Sequence, residues 1–326
     1  MAKVFTVIPR IAGGDFYDVR PPIDQDWEVE DIGSDVIVGI ALDSVPNAVA
    51  GICNIAGVSA PMRRSSVAAP STRGWANPSK WHINNSNWLR IDNPEAGNLN
   101  IGIVVKLAKY TGNLINSSVV SGTAFVSAGL TTIIRPPLGQ DWVITDIGSN
   151  IWTAGAGGRP NVTIELFDGT NGAMLARNAD LRGWDRPFEI HINNATYVRL
   201  TNTGADATLG WSGAITHRYT PNIIFSNVIS RVLPIPANAW LIPPAGEEWV
   251  ITDIGCDLWS ILGGGIDLPN IVVQLNDGAR TVVVQMFGID KGWQGSMAYC
   301  ITNTNVMLFT AVAPGFIAIS GHRWRE

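Results

Sequence analysis

One seven-residue stretch occurs three times in this chain and constrains its fold more than any other feature. Its copies are Trp27-Glu-Val-Glu-Asp-Ile-Gly33, Trp142-Val-Ile-Thr-Asp-Ile-Gly148 and Trp249-Val-Ile-Thr-Asp-Ile-Gly255. A diproline precedes each copy, at Pro21-Pro22, Pro136-Pro137 and Pro243-Pro244. The repetition predicts that one structural unit occurs three times in tandem.

Two further motifs recur in the same order. A cation-Gly-Trp triplet occurs at Arg73-Gly74-Trp75, Arg182-Gly183-Trp184 and Lys291-Gly292-Trp293, about 109 residues apart. Each is followed by one of the stretches His82-Ile-Asn-Asn85, His191-Ile-Asn-Asn194 and Cys300-Ile-Thr-Asn303. This period suits a whole small domain and is too long for a solenoid repeat. We predict three domains, at 1–112, 113–220 and 221–326, with short junctions that favour packing between them.

Each repeat is predicted to be all-β. Helical periodicity is nearly absent, whereas short alternating and β-branched segments recur between turn signals such as Asp168-Gly169. The second repeat fits seven or eight such strands, which is typical of a β-sandwich and favours a jelly roll. We expect Gly148 to end the strand that begins at Trp142. In the first repeat we expect a divergent loop at 57–72, which together with residues 1–20 could extend to a partner.

The composition favours a protein that assembles with others. Charged residues make up 15% of the chain, against about 25% in ordinary soluble domains. The net charge is −5 and no basic run occurs, which speaks against nucleic-acid binding. No apolar run has the length of a membrane span, and the first residues lack the long apolar stretch of a signal peptide. Three cysteines give no disulfide framework, so we expect synthesis in a reducing cytosol.

The repeated aromatic and acidic residues have structural interpretations. We assign Trp27, Trp142 and Trp249 to the core, although an exposed aromatic platform for sugar or protein is the alternative. An aspartate follows each tryptophan, at Asp31, Asp146 and Asp253. One carboxylate per repeat is too few for calcium, so we interpret these aspartates as turn caps.

The cation-Gly-Trp triplets are the candidate interface. Their cation can stack on the indole as a local loop staple, or the pair can form a repeated binding element. The six candidates are Arg73, Trp75, Arg182, Trp184, Lys291 and Trp293. His82 and His191 are interpreted as structural, because the third copy has Cys300 instead. No zinc motif, nucleophile elbow or phosphate loop occurs, so we expect no catalytic residue, metal or cofactor and no enzymatic activity.

The segment 135–148, Arg-Pro-Pro-Leu-Gly-Gln-Asp-Trp-Val-Ile-Thr-Asp-Ile-Gly, resembles repeats in β-sandwich structural proteins of tailed bacteriophages. These include capsid decoration (cement) proteins and components of head or tail fibres. The resemblance covers the first third of each repeat and implies no catalytic residues. It implies a virion protein, made in the host cytoplasm, whose partners are the major capsid protein, other virion proteins or copies of itself.

Two functions remain open at this point. Three tandem jelly rolls could act as a covalent pseudo-trimer that clamps neighbouring capsid subunits, or they could lie in a line across them. The alternative is a carbohydrate-binding or adhesion protein, whose three modules gain avidity from linked weak sites for glycans. Exposure of Trp75, Trp184 and Trp293 in open grooves would favour the second function.

Overall fold

The structure is a computed structural model. It describes residues 4–34, 48–64, 80–94, 97, 99–110, 117–149, 162–177, 188–218, 227–235, 238–256, 271–286, 298–311 and 315–324. All regular elements in these segments are strands, as the alternating sequence predicted. The described residues contain no helix of the length and hydropathy that crossing a membrane requires.

The strands form three successive units. The first unit contains β1 (Val4–Val7), β2 (Arg10–Ile11), β3 (Phe16–Val19), β4 (Gln25–Ser34), β5 (Val49–Asn54), β6 (Ser59–Arg64), β7 (Trp81–Ile83), β8 (Asn87–Asp92) and β9 (Leu99–Tyr110). The second contains β10 (Gly122–Val126), β11 (Thr131–Ile134), β12 (Gln140–Ser149), β13 (Val162–Phe167), β14 (Gly172–Arg177), β15 (Ile190–Ile192), β16 (Tyr197–Asn202) and β17 (Ala207–Arg218). The third contains β18 (Val228–Ile235), β19 (Asn238–Leu241), β20 (Glu248–Cys256), β21 (Ile271–Asn276), β22 (Thr281–Met286), β23 (Tyr299–Ile301), β24 (Val306–Ala311) and β25 (Gly315–Trp324).

Every unit has the same pair of antiparallel sheets. The orders in the second unit are β10-β17-β12-β15 and β11-β16-β13-β14, and in the third β18-β25-β20-β23 and β19-β24-β21-β22. The first unit has β1-β9-β4-β7, with β2 also beside β9, and β3-β8-β5-β6. Counted within a unit, with β1 and β2 taken as one strand because both pair with β9, the orders are 1-8-3-6 and 2-7-4-5, which is the strand order of a jelly roll. Each sheet takes its strands from a single repeat. We call the two sheets of a unit its long-strand sheet (1-8-3-6) and its short-strand sheet (2-7-4-5).

The core of each unit lies between its two sheets. In the second unit Ile144 and Ile190 of the long-strand sheet are fully buried together with Ile164 and Leu200 of the short-strand sheet. Alternation along each strand therefore places one apolar face inward.

The three repeated tryptophans lie near the start of the equivalent strands β4, β12 and β20. Trp249 is fully buried in its core, whereas Trp27 and Trp142 are partly buried and pack against theirs. Each indole N–H donates to a side chain two residues earlier, over 2.8–2.9 Å. The residues that accept these bonds are Gln25, Gln140 and Glu247.

The prediction that Gly148 ends its strand was wrong. Strand β12 continues to Ser149, and the irregularity is instead a bulge between Ile144 and Asp146. The carboxylate of Asp146 accepts the amide of Ile147 at 2.8 Å. The repeated aspartate is therefore a cap within a bulged strand, because a bulge frees a backbone amide from the ladder.

The divergent loop expected at 57–72 is also corrected in part. Residues Ser59–Arg64 form strand β6, and the residues after it lie outside the described part. The preceding turn matches the others: Asn54 accepts two backbone amides, as Asp168 and Asp277 do in the later units. Gly57 in this turn has φ 77°, which favours glycine. The sequence concealed the hairpin because Asn54 and Gly57 are not adjacent.

The extension expected at residues 1–20 is also corrected. Residues 4–19 contain strands β1, β2 and β3 of the first unit.

Two of the sequence landmarks meet in space. The carbonyl of Pro136 accepts the Asn194 side chain at 2.8 Å, and Arg135 donates to the backbone of Asn194. Pro21 and Asn85 repeat this contact in the first unit. The diproline segment is thus fastened to the Asn-Asn turn, which explains why the two motifs recur together.

Candidate functional site: the contacts between units and their free surfaces

In each contact between consecutive units, edge strands of one unit pack on the face of the next unit's long-strand sheet. Strands β6 and β7, at one edge of the first unit, pack on β12 and β17 of the second unit's long-strand sheet. Strands β14 and β15 pack in the same way on β20 and β25 of the third unit. We call these the first contact and the second contact. One heterologous contact therefore occurs twice along the chain.

Serine hydroxyls on the receiving face bind the edge strand. In the second contact the His191 amide donates to Ser320 Oγ at 2.6 Å, and Ser320 Oγ lies 3.2 Å from the His191 carbonyl. In the first contact the His82 amide donates to Ser212 Oγ at 2.7 Å, and Ser121 donates to the His82 carbonyl. An uncovered edge strand exposes such groups, so these bonds both cover the edge and fix the register of the contact.

A threonine hydroxyl adds a second bond at the same place in both contacts. Thr145 donates to the Lys80 carbonyl at 2.6 Å, and Thr252 donates to the Glu189 carbonyl at 2.7 Å. In the second contact, Gly255 of the third unit lies so close to the second unit that an added Cβ would be 2.1 Å from the Met174 carbonyl oxygen. The two backbones can approach this closely only because glycine has no side chain.

The junctions are bound as well. Buried Asp26 of the first unit accepts the amide of Ser118 at 2.8 Å, and buried Asp141 of the second accepts that of Asn227 at 2.9 Å. Each unit thus binds the start of the segment that leads into the next one. Together with the edge-on-face bonds, this restricts movement between units.

The two contacts differ in their charged residues. In the first, Glu28 pairs with Lys80 at 3.2 Å and Lys106 at 3.5 Å. Burial alone would raise the pKa of Glu28, but the positive charges of His82, Lys80 and Lys106 outweigh it and lower that pKa. Burial lowers the pKa of His82.

The second contact has a different cluster. Glu189 Oε1 lies 3.2 Å from His191 Nε2, and the rings of His191 and His322 are 4.8 Å apart. The hydrogen bond with His191 lowers the pKa of Glu189, and burial lowers the pKa of His322. One ligand atom from each of these three residues lies within 4.8 Å of the other two.

The outermost surfaces depart from the contact pattern. On the first unit's long-strand sheet, Val104 stands where Ser212 and Ser320 bind an edge strand, and Glu30 stands where Thr145 and Thr252 do. Neither Val104 nor Glu30 has a hydroxyl that could donate to a backbone carbonyl of an incoming edge strand.

The third unit exposes several apolar side chains on neighbouring strands of its short-strand sheet. Trp240, Leu308, Gln274 and Val283 lie opposite one another on adjacent strands of its short-strand sheet, and Trp240 and Val283 are each 49% exposed. Ile242, two residues after Trp240, is 52% exposed. We call the four apolar residues of this surface, Trp240, Ile242, Leu308 and Val283, the apolar row.

In the other units an arginine stands in the place of Leu308 and pairs with a neighbouring carboxylate, although exposed Ile133 occupies the place of Trp240 in the second unit. In the first unit Arg90 and Asp18 form a bidentate pair at 2.8 and 2.9 Å, and in the second Arg199 donates to Glu165 at 2.7 Å. Arg20 and Arg135 occupy the place of Ile242. Paired charges therefore interrupt this surface in the first two units, whereas in the third unit apolar side chains flank Gln274 on both sides. Exposed apolar clusters of this kind mark binding surfaces.

The six candidate interface residues of the cation-Gly-Trp triplets lie outside the described residues. His82 and His191 lie at the contacts, where their backbone groups are bound. Sequence reasoning missed the serines. Their signal is a Ser-Gly pair at 212–213 and 320–321 whose equivalent in the first repeat is Val104-Val105.

No protein-family model matches this chain, and no curated protein matches it by sequence.

Proposed function

We propose that the chain is a non-enzymatic structural protein of a virion that clamps neighbouring capsid subunits, as a decoration or cement protein does. The observation that carries the proposal is the apolar row on the third unit, in a chain whose three units are joined by two equivalent contacts. A clamp needs several binding surfaces that keep a fixed relative position, and the two contacts provide this.

The rest of the molecule supports the same function. The chain is poor in charge, with 15% charged residues, which suits a protein that covers much of its surface in an assembly. The first unit's face lacks the hydroxyls that bind an edge strand, which favours attachment to a different protein over endless self-association. The resemblance of residues 135–148 to phage structural repeats points the same way.

The test compares virus particles made with and without this chain. Purified protein is added to particles that lack it, and the particles are imaged by cryo-electron microscopy and heated. We expect density at regular lattice positions and DNA release at a higher temperature. The proposal would be rejected if the images showed no added density on the particles and the temperature of DNA release did not change.

A matched pair of variants tests the surface. Trp240→Glu places a charge in the apolar row, and Ile133→Glu does so at the equivalent, exposed position of the second unit. We expect the first variant to lose particle binding and the second to keep it.

One observation favours carbohydrate binding as a second candidate. The exposed indole of Trp240 lies on a sheet face, where an aromatic ring can stack on a sugar. A glycan array distinguishes the two candidates: retention that Trp240→Ala abolishes, with no particle binding, favours the carbohydrate-binding function.

A further inference from the structure

Two histidines and a glutamate from different units converge at the second contact. Glu189 and His191 belong to the edge of the second unit, and His322 lies on β25 of the third. One ligand atom from each lies within 4.8 Å of the others. The three residues are therefore close enough for a single ion to contact them all after small side-chain rotations.

The two imidazoles have unmet bonding capacity. The Nδ1 atoms of His191 and His322 are buried and have no hydrogen-bond partner among the described residues. The His191 side chain is only 8% exposed. A buried polar nitrogen without a partner costs free energy, and an ion that coordinates these Nδ1 atoms would remove that cost.

The donor set fits a zinc-type ion. Two imidazoles and one carboxylate, with a fourth position for water, are a common ligand set for Zn²⁺, with bonds of about 2.0–2.2 Å. Such bonds place neighbouring ligand atoms about 3.4 Å apart at tetrahedral corners. The Glu189 side chain is 51% exposed and can rotate to close the remaining gap. Its exposure also gives an ion a route from solvent.

The first contact serves as an internal comparison. The positions of Glu189, His191 and His322 correspond there to Lys80, His82 and Ala214. A lysine and an alanine replace two of the three ligands, and Lys80 instead pairs with Glu28. The ligand set therefore occurs at only one of the two contacts in the described chain.

We infer that Glu189, His191 and His322 bind one divalent transition-metal ion, of which Zn²⁺ fits best, and that this ion fastens the third unit to the second. The inference is independent of the virion function. Because the ligands come from two units, ion binding stabilises the contact between them.

Titration of the metal into the full chain tests the inference. The protein is stripped with a chelator, and ZnSO₄ is added in a calorimeter. We expect one saturable site per chain, and a higher melting temperature with zinc than without. With Co²⁺ as the probe, we expect the visible absorption of a tetrahedral nitrogen and oxygen site.

Three variants locate the site. His322→Ala and Glu189→Gln each remove a ligand and should weaken zinc binding at least ten-fold and abolish the rise in melting temperature. His82→Ala, at the equivalent of His191 in the first contact, should bind zinc as the wild type does. Alanine is the natural residue at position 214, so His322→Ala is compatible with the fold. Should it unfold nevertheless, the exposed Glu189→Gln decides alone. The inference is overturned if the wild type shows no saturable binding, or if the two ligand variants bind zinc unchanged.

Discussion

The first and second contacts share their backbone bonds and differ in their side chains. In both, a serine binds the amide of the edge-strand histidine and a threonine binds the carbonyl two residues earlier. Around these bonds the first contact places Lys80 and Glu28, and the second places Glu189 and His322. Bonds to the backbone are independent of side-chain identity, so they could persist while the neighbouring residues diverged.

The largest effect is expected where the backbones are closest. Gly255→Ala would bring a Cβ within 2.1 Å of the Met174 carbonyl oxygen and 2.5 Å of Leu175 Cα. Backbone atoms cannot move aside as a flexible side chain can, so we expect a loss of about 3 kcal/mol in unfolding free energy. Urea denaturation measures it.

Gly97→Ala is the control, because nothing lies within 4 Å of the added carbon. Equal stability of the two variants would contradict the close approach at the second contact.

The second-largest loss of stability is expected from a hydrogen bond that occurs only in the first contact. The indole of buried Trp81 donates to the buried carboxylate of Asp146, whereas the second contact has Ile190 in the place of Trp81. Trp81→Phe removes this charge-assisted bond, and we expect it to cost about 2 kcal/mol more than a tryptophan-to-phenylalanine change without such a bond.

Trp88→Phe provides that reference. Trp88 is buried, and its indole N–H has no partner among the described residues. If chemical denaturation gave the two substitutions the same cost, the Trp81 bond would contribute nothing.

Replacing the two contact serines by alanine should cost unequal amounts of unfolding free energy. Ser320→Ala leaves both the amide and the carbonyl of His191 without this hydroxyl, so we expect a cost of about 2 kcal/mol. Ser212→Ala leaves the His82 carbonyl bonded to Ser121, so the cost should be about 1 kcal/mol. Thermal unfolding of the two variants measures the difference, and a larger loss for Ser212→Ala would reverse the comparison.

The smallest effect depends on pH. The pKa of Glu28 is lowered in the folded state, so its contribution is full above its ordinary value of 4.5 and disappears as pH falls through the folded-state pKa. Glu28→Gln should cost under about 1 kcal/mol at pH 7, since Lys80 is largely exposed, and less at pH 3. Urea unfolding at both pH values checks this, with Glu248→Gln on the exposed start of β20 as the control. A cost that does not depend on pH would show that the ion pairs of Glu28 do not stabilise the folded chain.

The sequence predicted the all-β fold because strand alternation and turn residues are local signals. It did not predict where the units touch, because a contact joins residues far apart in the chain, such as His191 and Ser320. The Glu189, His191 and His322 cluster was missed for the same reason: no short motif contains all three. The hairpin after Asn54 was missed because its asparagine and glycine are separated by two residues, which hides the usual turn dipeptide.

The repeated contact is tested most directly by hydrogen exchange of three equivalent amides. Those of His82 and His191 are bound by serines of the following unit, whereas Cys300, exposed at the equivalent position on β23, receives no serine hydroxyl from another described unit. We predict that the first two amides exchange at least a hundred-fold more slowly than the amide of Cys300. Similar exchange rates at all three positions would contradict the contact on which the arrangement of the units depends.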